Sequence, residues 1–220
     1  SAQFLNAHCN YPLLEGQQTN LYKCVLENGF SLMSDKGFMG LLHPEGTYDD
    51  PNGQIFRKYM YRRLRYHFQY RNELLLFAEV SHTRSYSSNI YGCINDEVCF
   101  WNMNNLYHPS TIDGSFAHDG HGICGGLKTF EGKRNINPHR ERILQITKNE
   151  LQIISNAFED GEDWQSVKMS SFHAKVIADV LEKFSIFPNR VKDFNPIITV
   201  DLDETGACNS GVITRETFIP

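Results

Sequence analysis

Apolar and polar positions follow a helical period in the stretch that begins at Asn20. The apolar members recur at roughly helical spacing and give one face, which consists of Leu21, Cys24, Val25, Leu32 and Met33. Asn20 is expected to cap this segment, because its side-chain oxygen can accept hydrogen bonds from the first free N–H groups. The pattern therefore predicts a helix from about residue 20 to residue 33.

The next pattern is the short apolar run FMGLL at 38–42, which is followed by His43 and Pro44. A continuous run of this length is typical of a strand that is covered on both faces. Proline cannot donate to the hydrogen-bond ladder of a sheet. The run therefore predicts a buried strand that ends at His43 and Pro44.

A helical period returns over 54–64. The apolar positions expected to point inward are Ile55, Phe56, Tyr59, Met60 and Leu64. The basic positions expected to point largely outward are Arg57, Lys58, Arg62 and Arg63. Residues 65–70 and 87–93 then have the character of strands, so two further strands are predicted there.

The second half of the chain carries separate patterns. Strands are predicted at 97–101 and 142–146, a short helix from Pro109 to about Phe116, and a glycine-rich loop over 119–126. Thr147 and Glu150 have the spacing of a capping box, which predicts the start of a helix that runs to about Phe158.

Two helical faces are expected in this half. The first should bury Leu151, Ile154 and Phe158. The second, in a helix that starts near residue 171, should bury Phe172, Val176, Ile177, Val180, Leu181 and Phe184. A strand is also predicted over 197–202.

A helix, a buried strand and a polar loop at the carboxyl end of that strand make half of an α/β crossover. In open α/β sheets such a loop is where ligands bind. The expected organisation is a lead-in or cut end over 1–19, an α/β block over 20–93, and a mixed α/β region over 94–220.

Composition excludes several classes of protein. The chain has 220 residues, 40% of them hydrophobic and 21% charged, with a net charge of −5. These values are those of an ordinary globular protein and argue against a uniformly basic nucleic-acid coat. No apolar run approaches the ~18 residues of a membrane span. The amino end has no signal-peptide pattern. The six cysteines form no C-x-x-C pair, which favours reduced thiols and a cytoplasmic protein.

The loop after the predicted strand contains the first candidate site. His43, Glu45, Tyr48 and Asp49 could hold a substrate or support a neighbouring active-site loop. The same residues would also suit a solvated connection.

The basic residues Arg57, Lys58, Arg62 and Arg63 are the second candidate site. Clustered Arg and Lys can pair with DNA phosphates and make binding depend on salt, although the solvated face of an amphipathic helix has the same pattern. A second basic set, with the same two interpretations, consists of Lys133, Arg134, His139, Arg140 and Arg142.

His118, Asp119, His121 and Cys124 are the third candidate, since all four are metal-capable side chains. A zinc site usually has four ligands in paired short spacings, and no second pair is evident, so a glycine-rich loop is the favoured interpretation and no metal ligand is assigned. No nucleophile motif and no P-loop are present.

Three segments of 20–92 carry a family resemblance: NLYKCVLENGF, GLLHPEGTYDDPNG and LRYHFQYRNELLLFAEVSHTRSYSSNIYG. They resemble the later part of the catalytic domain of amino-group DNA methyltransferases. They are most similar to large restriction–modification adenine methyltransferases of the type IIG kind and related phage-defence methylases. Four later segments, TIDGSFAHDG, HRERILQIT, VLEKF and GVITRETFIP, resemble the continuation of such proteins.

The resemblance implies the carboxyl-terminal half of a Rossmann-like methyltransferase sheet, followed by a mixed α/β extension. In that family S-adenosyl-L-methionine donates a methyl group to the exocyclic amine of a flipped adenine. The family's catalytic loop is [N/D/S]-P-P-[Y/F/W], and its cofactor loop is rich in glycine. All eight prolines of this chain are isolated, and no glycine-rich cofactor loop precedes residue 20.

The resemblance without these loops implies an excised piece of a larger methyltransferase, inactive alone and with no catalytic residue of its own. The chain also ends in the middle of a pattern at 214–220, which agrees with a piece. The implied partners are DNA and the rest of the methyltransferase, which would bind the cofactor; no membrane partner is expected. One alternative is a complete, non-catalytic specificity subunit of a DNA-defence complex. Another is an unrelated metal-dependent enzyme built on His118, Asp119, His121 and Cys124.

Overall fold

The computed structural model describes residues 2–5, 9–18, 20–159, 161, 163–197 and 203–214. The chain divides into two compact units, Ser1–Ile186 and Phe187–Pro220. The strands are β1 (Met39–Pro44), β2 (Leu64–Arg71), β3 (Ser85–Tyr91), β4 (Cys99–Leu106) and β5 (Leu144–Thr147). The helices are α1 (Ala2–Leu5), α2 (Leu21–Leu32), α3 (Gly46–Asp49), α4 (Gln54–Tyr61), α5 (Ser110–Ala117), α6 (Lys148–Phe158), α7 (Lys175–Ser185) and α8 (Glu204–Asn209).

The first unit is built on a five-stranded mixed sheet of order β1-β3-β2-β4-β5. Neighbouring strands are antiparallel except for β2 and β4, which are parallel. The fold class is therefore mixed α/β, and β4 and β5 extend the same sheet that β1, β2 and β3 form. The Rossmann-like half-sheet stays a prediction.

β1 confirms the predicted strand but not its predicted environment. It lies at an edge of the sheet, and its residues alternate between more and less exposed, with 52% of Leu42 exposed. An antiparallel edge strand is covered on one face, so it alternates, whereas a central parallel strand is covered on both. Pro44 is tolerated in β1 because an edge strand can leave one side of its ladder unpaired.

The helix over 20–33 is confirmed as α2, but its buried face is not the predicted one. Leu21, Val25 and Leu32 are exposed, whereas the buried residues are Lys23, Cys24, Leu26, Glu27 and Phe30. The two charged residues can be buried because they have partners: Lys23 is paired with Asp50, and Glu27 accepts a hydrogen bond from the Leu13 N–H. Asn20 lies at the N-cap position but makes no side-chain cap hydrogen bond.

The capping box is confirmed in full at the start of α6. The backbone N–H of Thr147 donates to Glu150 Oε2 at 2.8 Å, and the Thr147 hydroxyl accepts from the Asn149 N–H at 3.2 Å. Leu151 and Ile154 are buried as predicted, but 64% of Phe158 is exposed because it is the last residue of α6.

α7 differs most from its prediction. It begins at Lys175 and buries only Leu181 and Ser185. The predicted inward residues Val176, Ile177, Val180 and Phe184 are between 44% and 63% exposed. Phe172, which is buried, lies before the helix. α7 packs on the core through Ala178 and Leu181, so most of the apolar stripe faces away from the core.

The main core lies between the sheet and the helices α2, α4 and α6. Its largest fully buried members include Tyr48, Phe56, Met60, Tyr61, Leu64, Tyr91 and Phe100. A second core, on Tyr70, Tyr86, Met103, Leu106 and Ile143, packs on the sheet separately.

In the second unit α8 and one 3-10 turn, Val191–Phe194, are the described helical elements. The strand predicted over 197–202 lies outside the described residues except for Ile197. None of the helices within the described ranges is long and apolar enough to cross a lipid bilayer.

Candidate functional site

A row of polar side chains crosses the buried face of the sheet beside the loop that follows β1. Strand register sets this row, because His43 lies opposite Ser87, His67 lies opposite Asn89, and His67 also lies opposite Asn102. All five of these residues are buried. The row continues from β1 across β3 and β2 to β4, and α3 lies over its β1 end.

His43 and Tyr48, both predicted site residues, belong to one hydrogen-bonded group. His43 Nδ1 lies 2.8 Å from the Pro44 carbonyl, so this nitrogen donates and Nε2 accepts. Nε2 accepts from the Tyr91 hydroxyl at 2.8 Å and from the Asn89 amide at 2.9 Å. The Tyr48 hydroxyl donates to Asn89 Oδ1 at 2.6 Å. This pattern fixes one tautomer of a neutral imidazole.

Glu45, the third predicted residue, is held by β2. Its Oε1 lies 3.2 Å from His67 Nε2, and its Oε2 accepts from Gln69 Nε2 at 2.9 Å. The other ring nitrogen of His67 lies 2.6 Å from Asn102 Oδ1. Glu45 therefore joins the loop after β1 directly to β2, and through His67 to β4.

Burial and these contacts set the ionisation of the group. Burial lowers the pKa of His43 and raises the pKa of Tyr48 well above its ordinary value. Burial acts to raise the pKa of Glu45, but the charge and hydrogen bond of His67, with hydrogen bonds from Ser87 and Gln69, outweigh it and the pKa is lowered. The group thus favours a neutral His43, a protonated Tyr48 and an ionised Glu45.

Asp49, the fourth predicted residue, faces solvent and lines a polar cleft of about 540 Å³. Tyr22, Lys23 and Asp50 line the same cleft, and Lys23 is paired with Asp50. Burial and the charge of Glu45 raise the pKa of Asp49. Of the four predicted residues, Asp49 is the one whose carboxylate faces open space.

An apolar groove of about 400 Å³ lies on the other side of the loop, at the edge of the sheet. Leu42, His43, Pro44, Phe77, Val80, Arg84, Ser85 and Tyr86 line it. Leu42, Phe77 and Val80 are each 40% or more exposed. The outer edge of β1 and this groove form one apolar surface, which is here called the edge surface.

Arg57 contradicts the prediction that the basic residues of 54–64 point outward. It is 1% exposed, and its guanidinium donates to the Ser166 carbonyl at 2.6 Å and to the Asp50 carbonyl at 2.5 Å. It faces inward because the segment 164–167 packs against α4 and supplies a carbonyl acceptor. These two hydrogen bonds, from Nε and Nη1, tie the buried guanidinium to two backbone segments, so Arg57 is a structural residue.

Lys58, Arg62 and Arg63 reach solvent, and each has a local partner. Lys58 pairs with Asp163 at 2.6 Å, and Arg62 lies 3.6 Å from Asp96. The guanidinium of Arg63 lies over the ring of Tyr59, 4.7 Å from its centroid. Lys58 and Arg62 line a groove of about 430 Å³ with Tyr59 and Trp164, the other lining residues being Leu13, Ile55, Asp96, Val98 and Gln165. This basic groove combines cations with two aromatic rings.

The possible metal ligands do not converge. Among the described residues no group of three or more His, Cys, Asp or Glu side chains is placed to hold a metal ion. The His118 ring packs on His139, with centroids 4.4 Å apart, and residues 119–126 form a loop as predicted. All six cysteines are free thiols.

Sequence reasoning missed the strand residues that hold the predicted loop. His67, Asn89 and Asn102 supply most of the contacts, and each lies in the middle of a strand. The signal that could have identified them is period-2 placement of polar residues on β2, β3 and β4, because alternate residues of a strand share one face.

Comparison with protein-family models gives no match, and comparison with curated protein sequences gives none. Similarity is found to solved structures. One of them concerns the complex assembly and conformational transition of the type I R-M system. It is 13% identical to this chain, the match covers 76% of this chain and 37% of that chain, and the TM-score is 0.43.

Two other solved structures are similar to this chain. The type IIG restriction endonuclease BpuSI is 14% identical to this chain. The match covers 66% of this chain and 17% of BpuSI, with a TM-score of 0.38. The type I restriction enzyme EcoKI M protein is 10% identical to this chain. The match covers 77% of this chain and 41% of the EcoKI M protein, with a TM-score of 0.39. This chain spans less than half the length of each of the three.

Proposed function

We propose that this chain is part of an adenine-N6 DNA methyltransferase of a restriction–modification or phage-defence system. The observation that carries the proposal is the sequence resemblance over 20–92. Those residues build α2, β1, α3, α4, β2 and β3, which pack on one core. The resemblance thus falls on one contiguous part of the fold, at the carboxyl end of β1.

In this proposal the loop from His43 to Asp50 flanks the adenine or cofactor pocket of the whole protein. The side chains of His43, Glu45 and Tyr48 are held by hydrogen bonds to the polar row, and Asp49 faces the cleft. A loop held in this way suits the support of a binding surface, since buried hydrogen bonds hold side chains in one geometry. In this proposal the loop supports the binding surface, and the residues that carry out methyl transfer lie elsewhere in the protein.

The described residues do not by themselves fit S-adenosyl-L-methionine. The family's cofactor loop is glycine-rich and follows a strand, whereas the glycine-rich loop of this chain, 119–126, follows helix α5. We propose that the rest of the methyltransferase holds the cofactor.

The edge surface is the proposed contact with the rest of the methyltransferase. β1 has one strand partner, β3, among the described residues, so its other ladder side is open. An open ladder beside exposed apolar residues is what an added strand would cover. The basic groove, with Lys58, Arg62 and the aromatic residues Tyr59 and Trp164, is the proposed contact with DNA.

The test is to isolate the native gene product, map its peptides by mass spectrometry, and assay methyl transfer to adenine in DNA. A product longer than 220 residues that carries an [N/D/S]-P-P-[Y/F/W] peptide and methylates DNA is expected. In it, Glu45→Gln should reduce methyl transfer at least about 10-fold, through loss of a charge-assisted contact, while Glu79→Gln, an exposed control, should not. A native product of about this size without methyl transfer would contradict the proposal and favour a non-catalytic specificity subunit.

A further inference from the structure

Arg142 is a buried cation whose charge is not balanced by a carboxylate. It is 1% exposed, and no ion pair joins it to a carboxylate among the residues that the structure describes. Burial lowers the pKa of Arg142, and the groups that would raise it when ionised, Cys124 and Tyr107, are not carboxylates. An unpaired charge in a protein interior is costly, so an anion is expected beside it.

Most of the hydrogen-bonding capacity of Arg142 is also unused. Its Nη2 donates to the carbonyls of Asn104 and Asn105 at 3.2 Å and 3.1 Å. A guanidinium has five N–H donors, so three remain, on Nε and Nη1. Neither nitrogen has an acceptor in the described part of the chain.

The two carbonyls are aimed at Arg142 by a β-bulge in β4. Phe68 of β2 lies opposite Met103, but Tyr70 lies opposite Leu106, so β4 contains one extra residue. Asn105 has a φ of 56°, in the left-handed region that side chains other than glycine rarely adopt. Such bulges occur next to functional sites, where they re-aim backbone and side-chain groups.

Three further buried side chains in this part of the fold have an unused polar atom. They are Asn104 through Oδ1, Tyr107 through its hydroxyl, and His173 through Nδ1. Arg142 contacts the Asn104 carbonyl, and the Asn104 amide in turn donates to the carbonyl of Phe172, the residue before His173. His173 Nε2 donates to the Gly125 carbonyl at 3.0 Å, which leaves Nδ1 of the neutral ring as an acceptor. Burial and then the charge of Arg142 lower the pKa of His173, in agreement with a neutral ring.

The unused atoms therefore include both donors and acceptors. Arg142 and the Tyr107 hydroxyl can donate, whereas Asn104 Oδ1 and His173 Nδ1 can accept. A fully deprotonated anion would satisfy the donors and leave the acceptors without a partner. A hydrogen phosphate group satisfies both, because it has negatively charged oxygens and an O–H.

We propose that Arg142, Tyr107, Asn104 and His173 form an internal site for a hydrogen phosphate group. Its ligand is free hydrogen phosphate, which keeps an O–H at neutral pH, whereas a phosphate monoester, with a second pKa of about 6, is mostly without one. The proposed site is nearest to solvent at the glycine-rich loop 119–126. Cys124 of this loop is partly exposed, and the charge of Arg142 acts to lower its pKa. The site lies outside residues 20–92, so it is independent of the proposed methyltransferase role.

The test measures binding to the full chain by calorimetry and by thermal unfolding, with sodium phosphate, sodium sulfate and adenosine monophosphate at equal ionic strength. Phosphate at about 100 times its Kd should raise Tm by about 5 °C or more. Sulfate carries no hydrogen at pH 7, so it should bind at least about 10-fold more weakly than phosphate. Adenosine monophosphate, whose phosphate is mostly without a hydrogen at pH 7, should also bind more weakly than phosphate, and equally tight binding of it would overturn the proposal because the O–H would then not be required.

Three variants locate the site. Arg142→Met should abolish the response to phosphate, whereas Arg140→Met, two residues away and exposed, should retain it. Asn104→Asp should supply an internal carboxylate, so it should keep or raise Tm without phosphate and lose the phosphate response; this variant decides the matter if Arg142→Met does not fold. The proposal is overturned by the absence of a phosphate response in the wild type, by equal affinity for sulfate, or by a response that survives in Arg142→Met or Asn104→Asp, which would indicate an adventitious ion only.

Discussion

Several buried side chains in this protein form hydrogen bonds to other buried polar groups. The Tyr48 hydroxyl is an example, because it donates to Asn89 Oδ1 at 2.6 Å and lies 3.2 Å from the Tyr91 hydroxyl. Asn89 in turn donates to His43 and to Ser87. A single hydroxyl thus helps to fix the geometry of the whole β1 end of the polar row.

Tyr48→Phe should destabilise the protein by about 1–3 kcal/mol, because it leaves a buried amide oxygen without a donor. The free energy of unfolding, measured by urea denaturation, checks this. Tyr66→Phe is the matched control, since Tyr66 is 37% exposed, and it should change stability by less than about 0.5 kcal/mol. Equal effects of the two variants would show that the buried hydroxyl group has no special role.

Arg57 and Lys58 are neighbours in sequence with opposite environments. Arg57→Met should cost about 2–4 kcal/mol, because two charge-assisted hydrogen bonds to carbonyls are lost in the interior. Lys58→Met should cost less than about 1 kcal/mol, because its pair with Asp163 is exposed. Denaturation of both variants in parallel provides the measurement, and the reverse order would contradict the burial of Arg57.

At the scale of an element, helix α6 begins where it does because of one reciprocal pair. Thr147 and Glu150 satisfy N–H groups that the first turn would otherwise leave free. The strand β5 ends at the same threonine. The cap therefore sets the junction between sheet and helix.

Thr147→Ala should reduce the free energy of unfolding by about 1 kcal/mol. Glu150→Ala should have a similar effect. The double variant serves as the control: it should cost clearly less than the sum of the two, because both changes break the same pair. Strict additivity would mean that the two side chains act independently.

The basic groove on α4 is the element through which DNA contact is proposed. Lys58→Glu together with Arg62→Glu should weaken DNA binding and flatten the slope of log affinity against log salt by about 2, since each lost phosphate contact removes about 0.9. Filter binding of the full chain at several salt concentrations would measure the slope. Lys36→Glu with Lys183→Glu is the control of equal charge change on other surfaces, and an identical loss there would assign the effect to net charge alone.

At the scale of the whole molecule, the buried ionisable groups give stability a definite dependence on pH. Folding lowers the pKa of His43 below its ordinary value of 6.5 and that of Glu45 below 4.5. In both cases the unfolded chain binds more protons than the folded chain. The contribution of each group is fully present above its unfolded pKa and is lost as pH falls through its folded pKa.

The free energy of unfolding should therefore fall steadily as pH is lowered from 7 to 4, with His43 and His173 contributing below about pH 6.5 and Glu45 below about pH 4.5. Urea denaturation at each pH provides the test. His43→Gln should flatten the upper part of the profile, whereas His121→Gln, at an exposed position, should leave it unchanged. A profile that is flat from pH 7 to 5 in the wild type would contradict a neutral, buried His43.

Local pattern alone determined much of this protein. The helix over 20–33, the strand at 38–44, the capping box at 147–150 and the helix from Pro109 follow from spacing, turn and cap chemistry, which act within a few residues. That the loop after β1 is a functional site stays a prediction. These features depend on contacts between near neighbours, and near neighbours are what a sequence shows.

Tertiary structure decided which face of each element is buried and which charges have partners. Arg57 faces inward because a carbonyl 109 residues away accepts its hydrogen bond. His67 meets Glu45 only through the order of the strands. Arg142 donates to two carbonyls at the bulge in β4, 37 and 38 residues away in the chain. Each result depends on groups far apart in the chain, whose meeting is set by sheet order and packing rather than by local propensity.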